Sequence, residues 1–260
     1  MQNDCLEKYF LKKYKDLEIL GNNNLCILGM PGIALSGKFA VNYIIDDLKA
    51  EKIFEISFFD FPPQITIDKG LMILPTAQLF HHYDKDTNRD IFFLTGDFQP
   101  LTYYGINLLS EIIIEELKKF NVNLVISLGA SAVNNPIPDP EVYISSTSEE
   151  LLKDLIASFQ LRLFSEGIIT GMNGLLPGIL NKISNMDGVV LLAQACRYLP
   201  CDYTSSKKLI SVLTKFLKIE INFNELDIKI KELDEEISKL SADKIIFKGS
   251  KTKDETNYIG

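Results

Sequence analysis

The sequence predicts an α/β protein: a three-layer αβα core with a mostly parallel sheet, followed by a C-terminal helix. Two observations carry the core. Short apolar runs rich in β-branched residues alternate with stretches whose apolar residues recur at helical spacing, the pattern of strands and crossover helices. Glycine-rich turns follow several of the strand-like runs, as at Gly29-Met30-Pro31-Gly32 and Gly171-Met172-Asn173-Gly174. A third observation sets the end of the chain apart: Leu226, Ile230, Leu233, Ile237 and Leu240 form a narrow heptad stripe among Lys and Glu. The expected plan is an α/β domain over 1–221, an amphipathic helix over 222–243 and a flexible polar tail over 244–260.

The opening stretch, residues 1–20, places Leu6, Tyr9, Phe10 and Tyr14 near one face and is expected to form a short amphipathic helix. Leu25 to Leu28 is a buried strand, and Leu35, Phe39 and Tyr43 mark the helix after the turn. Ile53 to Phe59 is a second strand, stopped by Asp60-Phe61-Pro62-Pro63. Gln64 to Asp68 and Leu71 to Pro75 suggest an outward-facing strand and a hairpin, with Thr76 to Phe80 continuing the loop. Ile91 to Leu94 is a core strand ending at Thr95-Gly96-Asp97-Phe98-Gln99-Pro100, and 101–119 is an amphipathic helix. Val122 to Leu128 is another buried strand, ending in the small-residue turn Gly129-Ala130-Ser131-Ala132. A proline-rich loop over 134–140 leads to a short strand at Val142 to Ser145 and a capped helix over 148–156. Gly167 to Gly171 reads as a strand entering the second glycine turn. Val189 to Ala193 is the last core strand, and Cys201-Asp202-Tyr203 leads into a helix over 204–217.

Composition narrows the function. The chain has 260 residues, 46% of them hydrophobic, enough for a sizeable core. Its net charge is −8, and it lacks a basic cluster, so nucleic acid is not an expected partner. No apolar run reaches membrane-spanning length. Asp4, Glu7, Asp16 and Glu18 leave no signal peptide visible near the start, and the expected location is the cytoplasm. Four cysteines and two histidines supply a zinc site poorly. The thiols are read as reduced and partly buried, with disulfides as the alternative. His81 and His82 are adjacent and point different ways, so they are read as a surface pair rather than ligands.

Gly32 to Lys38 has the G-x-x-x-x-G-K spacing of a phosphate-binding loop, but Phe39 stands where a magnesium-binding Ser or Thr belongs. Ile33, Ala34 and Leu35 look instead like the first turn of a buried helix, and Gly37 like a residue needed for close helix–strand packing. Catalysis finds little footing. Asp60, Asp97, Asp139, Asp187 and Asp202 lie at strand ends, yet no histidine accompanies them, no G-x-S-x-G elbow occurs, and the three arginines avoid the glycine turns. No catalytic residue, metal or cofactor is expected.

Taken together and in order, GMPGIALSG, LTGDFQP and GMNGLLPG, with FPP at 61–63 and the Cys-Asp-Tyr element, resemble the proteasome assembly chaperone family, archaeal branch. The resemblance covers most of residues 20–226. It implies a non-catalytic domain similar to the phosphorylase/hydrolase-like fold, which homo-oligomerises and binds proteasome α subunits to assist 20S assembly. The residues it offers for partner contact are Gly29, Pro31, Gly32, Asp97, Gln99, Pro100, Gly171, Asn173 and Gly174. Their glycines can equally serve backbone geometry. Some members of that family end in a hydrophobic–Tyr–any docking tripeptide. Here Tyr258 and Ile259 are the tail candidates, with the tyrosine one place early. The heptad helix is read either as packed on its own domain or as a self-association or partner helix. The reading from another class is a nucleotide- or nucleoside-handling enzyme built on the Gly32–Lys38 loop or on a phosphorylase-like site.

Overall fold

A computed structural model describes residues 8–159 and 161–249, with side chains through 239. It divides into two units, Met1–Ile221 and Asn222–Gly260. The first unit contains strands β1 (Tyr9–Lys13) and β2 (Asn24–Gly29), helix α1 (Ser36–Leu48), and strands β3 (Glu51–Phe58), β4 (Thr66–Asp68), β5 (Leu71–Ile73), β6 (Thr76–Asp84) and β7 (Arg89–Gly96). Helix α2 (Tyr103–Lys119), strands β8 (Val122–Val133) and β9 (Val142–Ser146), helix α3 (Glu149–Phe159) and strand β10 (Arg162–Leu163) follow. Helix α4 (Met172–Ile183), strand β11 (Asp187–Cys196) and helix α5 (Tyr203–Leu217) complete it. The second unit is described as one helix, α6 (Asn224–Gly249), so the expected helix boundary at 243 falls inside it.

The main sheet has the order β1-β3-β6-β7-β2-β8-β11-β9-β10. Its centre, β7-β2-β8-β11, is parallel. β6, β3 and β1 extend one flank antiparallel. On the other flank β9 runs antiparallel to β11, with β10 parallel to β9. Helices α1 and α5 pack together on one face, α2 and α4 on the other. This is the expected α/β architecture with helices on both faces. The central strands read as continuous apolar runs because both faces are covered. Cys26 and Leu28 of β2 face the layer of Leu109, Ile113, Met172 and Leu176. Leu25 and Ile27 alternate to the opposite face. All four are buried, and such burial stabilises by about 1.5–3 kcal/mol for each large aliphatic side chain.

Several local expectations are corrected. Residues 9–13 form an edge strand, not a helix, because β3 supplies their backbone partners from Tyr9↔Phe58 to Lys13↔Phe54. Gly129 to Ala132 continue β8 rather than turning, held in register with Leu192 to Ala195 of β11. Residues 167–171 form no strand. Gly167 and Gly171 sit at φ +152° and +75°, and the GMNGLLPG stretch is the start of helix α4, not a turn. Thr76 to Phe80 belong to β6, a full strand of the main sheet. That strand also carries His81, which is buried, with Nε2 2.6 Å from Oδ1 of fully buried Asp90. The other oxygen of Asp90 accepts from the backbone N–H of Leu20 and Gly21, at 2.9 and 2.6 Å. His81 therefore helps lock the segment before β2 onto the sheet and is not a surface residue. Cys26 and Cys196 are buried thiols, and burial pushes the Cys26 thiol far above its ordinary range.

Candidate functional site

The carboxyl ends of the parallel strands are where ligands sit in open α/β sheets. Three of the singled-out stretches meet there: the turn after β2, the segment after β7, and the start of α4. Two side-chain amides join them. Asn173 is buried and pairs with Met30 in both directions: its Oδ1 accepts from Met30 N–H and its Nδ2 donates to the Met30 carbonyl, each at 3.0 Å. Gln99 spans the other two, its Nε2 donating to the Pro31 carbonyl at 2.5 Å and its Oε1 accepting from Met172 N–H at 2.8 Å. The second bond satisfies one of the backbone donors that open α4, which an interior helix pairing cannot do.

The glycines are matched to this arrangement. A Cβ on Gly171 would strike the Gln99 amide, and its φ of +75° is itself left-handed. A Cβ on Gly174 would lie 2.6 Å from the Ile169 carbonyl, and one on Gly29 2.5 Å from Val41. Gly37 faces the backbone of Leu128 so closely that any Cβ would overlap it. The expectation that Gly37 serves close helix–strand packing is therefore met. Asp202 adds a fourth stretch. Its carboxylate accepts from Cys196 N–H and, as the cap of α5, from Ser205 N–H, both at 2.9 Å. Its own N–H donates to the Ala34 carbonyl at 2.9 Å.

The phosphate-loop spacing has no cradle behind it. Ala34 and Leu35 are left-handed, at φ +47° and +49°, and form a separate short turn before α1 rather than its first turn. The backbone of β8 fills the space beside Gly37. Lys38 points away, into a cleft shared with Asn42, Asp46, Thr95 and Asp97. Burial lowers its pKa from the usual lysine value, and the Asp97 charge works in the opposite direction. Asp97, just after β7, does not cap α2. Thr102 does, accepting from Gly105 N–H at 3.0 Å, while Asp97 accepts from Thr76 N–H at 2.9 Å and pins the start of β6.

Beside the joined turns lies a crevice of about 280 Å³, walled by Ile33, Gly129, Ser131, Ile169, Thr170 and Asn173 among others. Its lining contains no Asp, Glu, His, Lys or Arg. It can hold apolar and neutral hydrogen-bonding groups, but it has no side chain that exchanges a proton near neutral pH. The rim is exposed and apolar: Ile168 is 89% exposed, Ile33 41% and Leu35 39%. The sequence reading put Ile33 and Leu35 in the first turn of a buried helix, which their exposure corrects, and it did not single out Ile168. The signal was available for Ile33 and Leu35, two large apolar residues within a glycine-flanked turn.

Of the residues singled out for contact, the structure gathers Gly29, Pro31, Gly32, Gln99, Gly171, Asn173 and Gly174 at this place. Pro100 is buried beside them in sequence, and Asp97 faces Thr76 and the Lys38 cleft. Tyr258 and Ile259 lie outside the described residues.

Comparison with known proteins gives this geometry a lineage. The uncharacterized protein MJ1210 of Methanocaldococcus jannaschii is 30% identical over 216 residues, 83% of this chain and 81% of that one. Pyrococcus furiosus PbaB, described as an archaeal proteasome activator, superposes with a TM-score of 0.83 at 28% identity, covering 91% of this chain and 100% of PbaB. PbaA from the same organism, described as an archaeal homolog of proteasome-assembly chaperone, gives 0.74 at 24% identity, covering 93% of this chain and 95% of PbaA. The match to a family runs from residue 26 to residue 241, from β2 through most of α6, and by it the chain belongs to the PAC2 family.

Proposed function

We propose that this protein is a cytoplasmic, homo-oligomeric, non-catalytic assembly factor that binds proteasome α subunits and assists formation of the 20S core particle. The observation that carries the proteasome part of the reading is the likeness to P. furiosus PbaB, which spans that whole protein and nine-tenths of this one; the assembly part rests on the resemblance of the glycine-turn motifs set out above. Action is then by binding alone: holding α subunits in a productive arrangement and leaving as the particle closes. The exposed rim of the joined turns, from Pro31 to Leu35, is the proposed contact on the α/β unit, with Tyr258 and Ile259 as the tail contact. Neither nucleic acid nor membrane is a proposed partner.

PbaB's description as an activator favours a second reading, in which the finished particle is the target. Both readings place the α subunits opposite this chain, and one experiment separates them. The purified protein, with and without residues 249–260, is mixed with cognate α subunits and, separately, with assembled 20S particles. Capture of α subunits with faster particle assembly is expected for an assembly factor. Faster peptide hydrolysis by preformed particles, with assembly unchanged, would make it an activator. Absence of binding to either would end both readings and return attention to nucleotides.

A further inference from the structure

Exposed apolar surface concentrates at the β1 end of the sheet. Every residue of β4 and β5 is exposed. Successive side chains of a strand point to opposite faces. Leu71 and Ile73 therefore lie on one side of this arm and Met72 on the other, and they are 70%, 45% and 78% exposed. A lone two-stranded hairpin is marginal in water, and one with apolar side chains on both sides is stabilised by being enclosed. At the base of the arm lies a groove of about 390 Å³ between β1 and the segment after β3. Its walls include Tyr9, Phe10, Phe59, Pro62, Pro63 and Pro75, with Lys8 as the one charged residue among the described ones. Phe10 and Phe59 are 63% and 54% exposed.

We propose that this surface seats a second copy of the chain, the β4–β5 arm of each copy lying in the groove of the other about a two-fold axis. The inference deepens the homo-oligomeric part of the function proposed above and stands apart from its proteasome part. Three observations choose a second copy over another partner. First, a projecting arm and a receiving groove of the same apolar character adjoin on one patch, the self-complementarity that a two-fold contact requires. A foreign partner would need only one of them. Second, Tyr9, Ile65, Ile67 and Leu74 are exposed on the same arm and groove, and with them counted, at about 180 Å² for a fully exposed large side chain, arm and groove together expose roughly 900 Å². That exceeds the roughly 300–600 Å² of the largest patch on an ordinary monomer and matches the ~800 Å² per partner of a standard stable interface. Third, the near-absence of charge among the described residues of the groove is the composition of an interface centre. Lys12 and Lys13 stand exposed on β1, and lysines on an edge strand oppose strand addition. The contact is therefore one of side-chain packing rather than a continued sheet.

The test is the solution mass of the full chain by size-exclusion chromatography with light scattering, read beside capture of α subunits. The arm variant Met72→Asp and the groove variant Phe10→Asp change residues exposed in the single chain, so each is expected to keep the wild-type circular dichroism spectrum, with a melting temperature lowered only by the loss of the partner copy. Each is expected to halve the mass of the particle. Mixing the two variants is expected to restore part of the association, because the intact arm of one meets the intact groove of the other. A wild-type chain that is monomeric at all concentrations, or a Met72→Asp variant of unchanged mass, would overturn the proposal. A Met72→Asp variant that keeps its mass but loses α subunits would overturn it too, by giving the patch to the proteasome. A half-mass variant supports the contact whether or not it captures α subunits, and a wild type that captures none faults only the proteasome reading.

Discussion

At the joined turns, polar groups far apart in sequence satisfy one another: Asn173 closes on both backbone groups of Met30, and Gln99 bridges Pro31 and Met172. On the β4–β5 arm the large side chains are apolar and exposed, and the only strand pairing is the arm's own. The first region carries the sequence motifs that mark the family. The second carries none of them, yet it offers much more apolar surface to another molecule. The buried bonds of the motif residues describe how the chain closes on itself, and the largest exposed side chains of the arm lie in a stretch without a motif.

If that contrast is right, substitutions at the turns act on stability and substitutions on the arm act on assembly. The largest effect is expected for Gly37→Val, which pushes a branched side chain into the backbone of Leu128. Overpacking of that kind costs about 3 kcal/mol, a fall of about 10 °C in melting temperature for a domain of this size. Calorimetry showing an unchanged transition would mean that α1 can lift from β8 freely. Asn173→Ala strands the buried N–H and C=O of Met30 and is expected to cost about 2 kcal/mol by denaturant titration. Asn173→Asp is expected to cost at least as much, since a carboxylate then faces the Met30 carbonyl. Gln99→Ala removes half-buried bonds and should cost about 1 kcal/mol. If Gln99→Ala left stability alone and abolished α-subunit capture, the turns would have to be counted as contact surface first. At concentrations where the wild type is also dissociated, Met72→Asp should change stability by no more than about 0.5 kcal/mol.

The smallest effect concerns pH. Burial lowers the Lys38 pKa from its ordinary 10.5. Between the lowered value and 10.5 the unfolded chain binds the proton more firmly, so stability rises with pH across that window. Lys38→Met is expected to flatten that rise, measured as the melting temperature stepped through the alkaline range.

The layered architecture was legible because apolar runs such as Leu25–Leu28 and Ile91–Leu94 are long, uninterrupted and bounded by glycine. The role of Gly37 was legible for a similar local reason: its neighbours Ile33 and Phe39 contradicted a phosphate loop. The strand at Tyr9–Lys13 was not, because its hydrogen bonds come from β3 and the local spacing of aromatics suits a helix as well. The burial of His81 was hidden for the same reason, since its partner Asp90 lies across the β6–β7 turn. At the turns, the sequence singled out Gln99 and Asn173 but not their relation. The bonds they make span 73 and 143 residues, distances over which no local pattern carries information. The exposure of Leu71 and Met72 was equally invisible, since it depends on what packs alongside.

The lock at Asn173 also makes this protein a recorder of its own thermal history. Asn173 precedes Gly174, and asparagine is among the residues that heat damages, most readily before glycine, where the next backbone nitrogen can close on the side-chain carbonyl. In the folded chain that nitrogen is turned away, donating to Gly171 at 3.2 Å, while the Asn173 carbonyl is held by Met30. Each opening of the turns releases both, and each conversion to aspartate makes the next closure harder. Peptide mass mapping after long incubation should find Asn173 intact in folded protein and converted in protein held partly unfolded. Equal conversion in the two would show that the lock gives no chemical shelter.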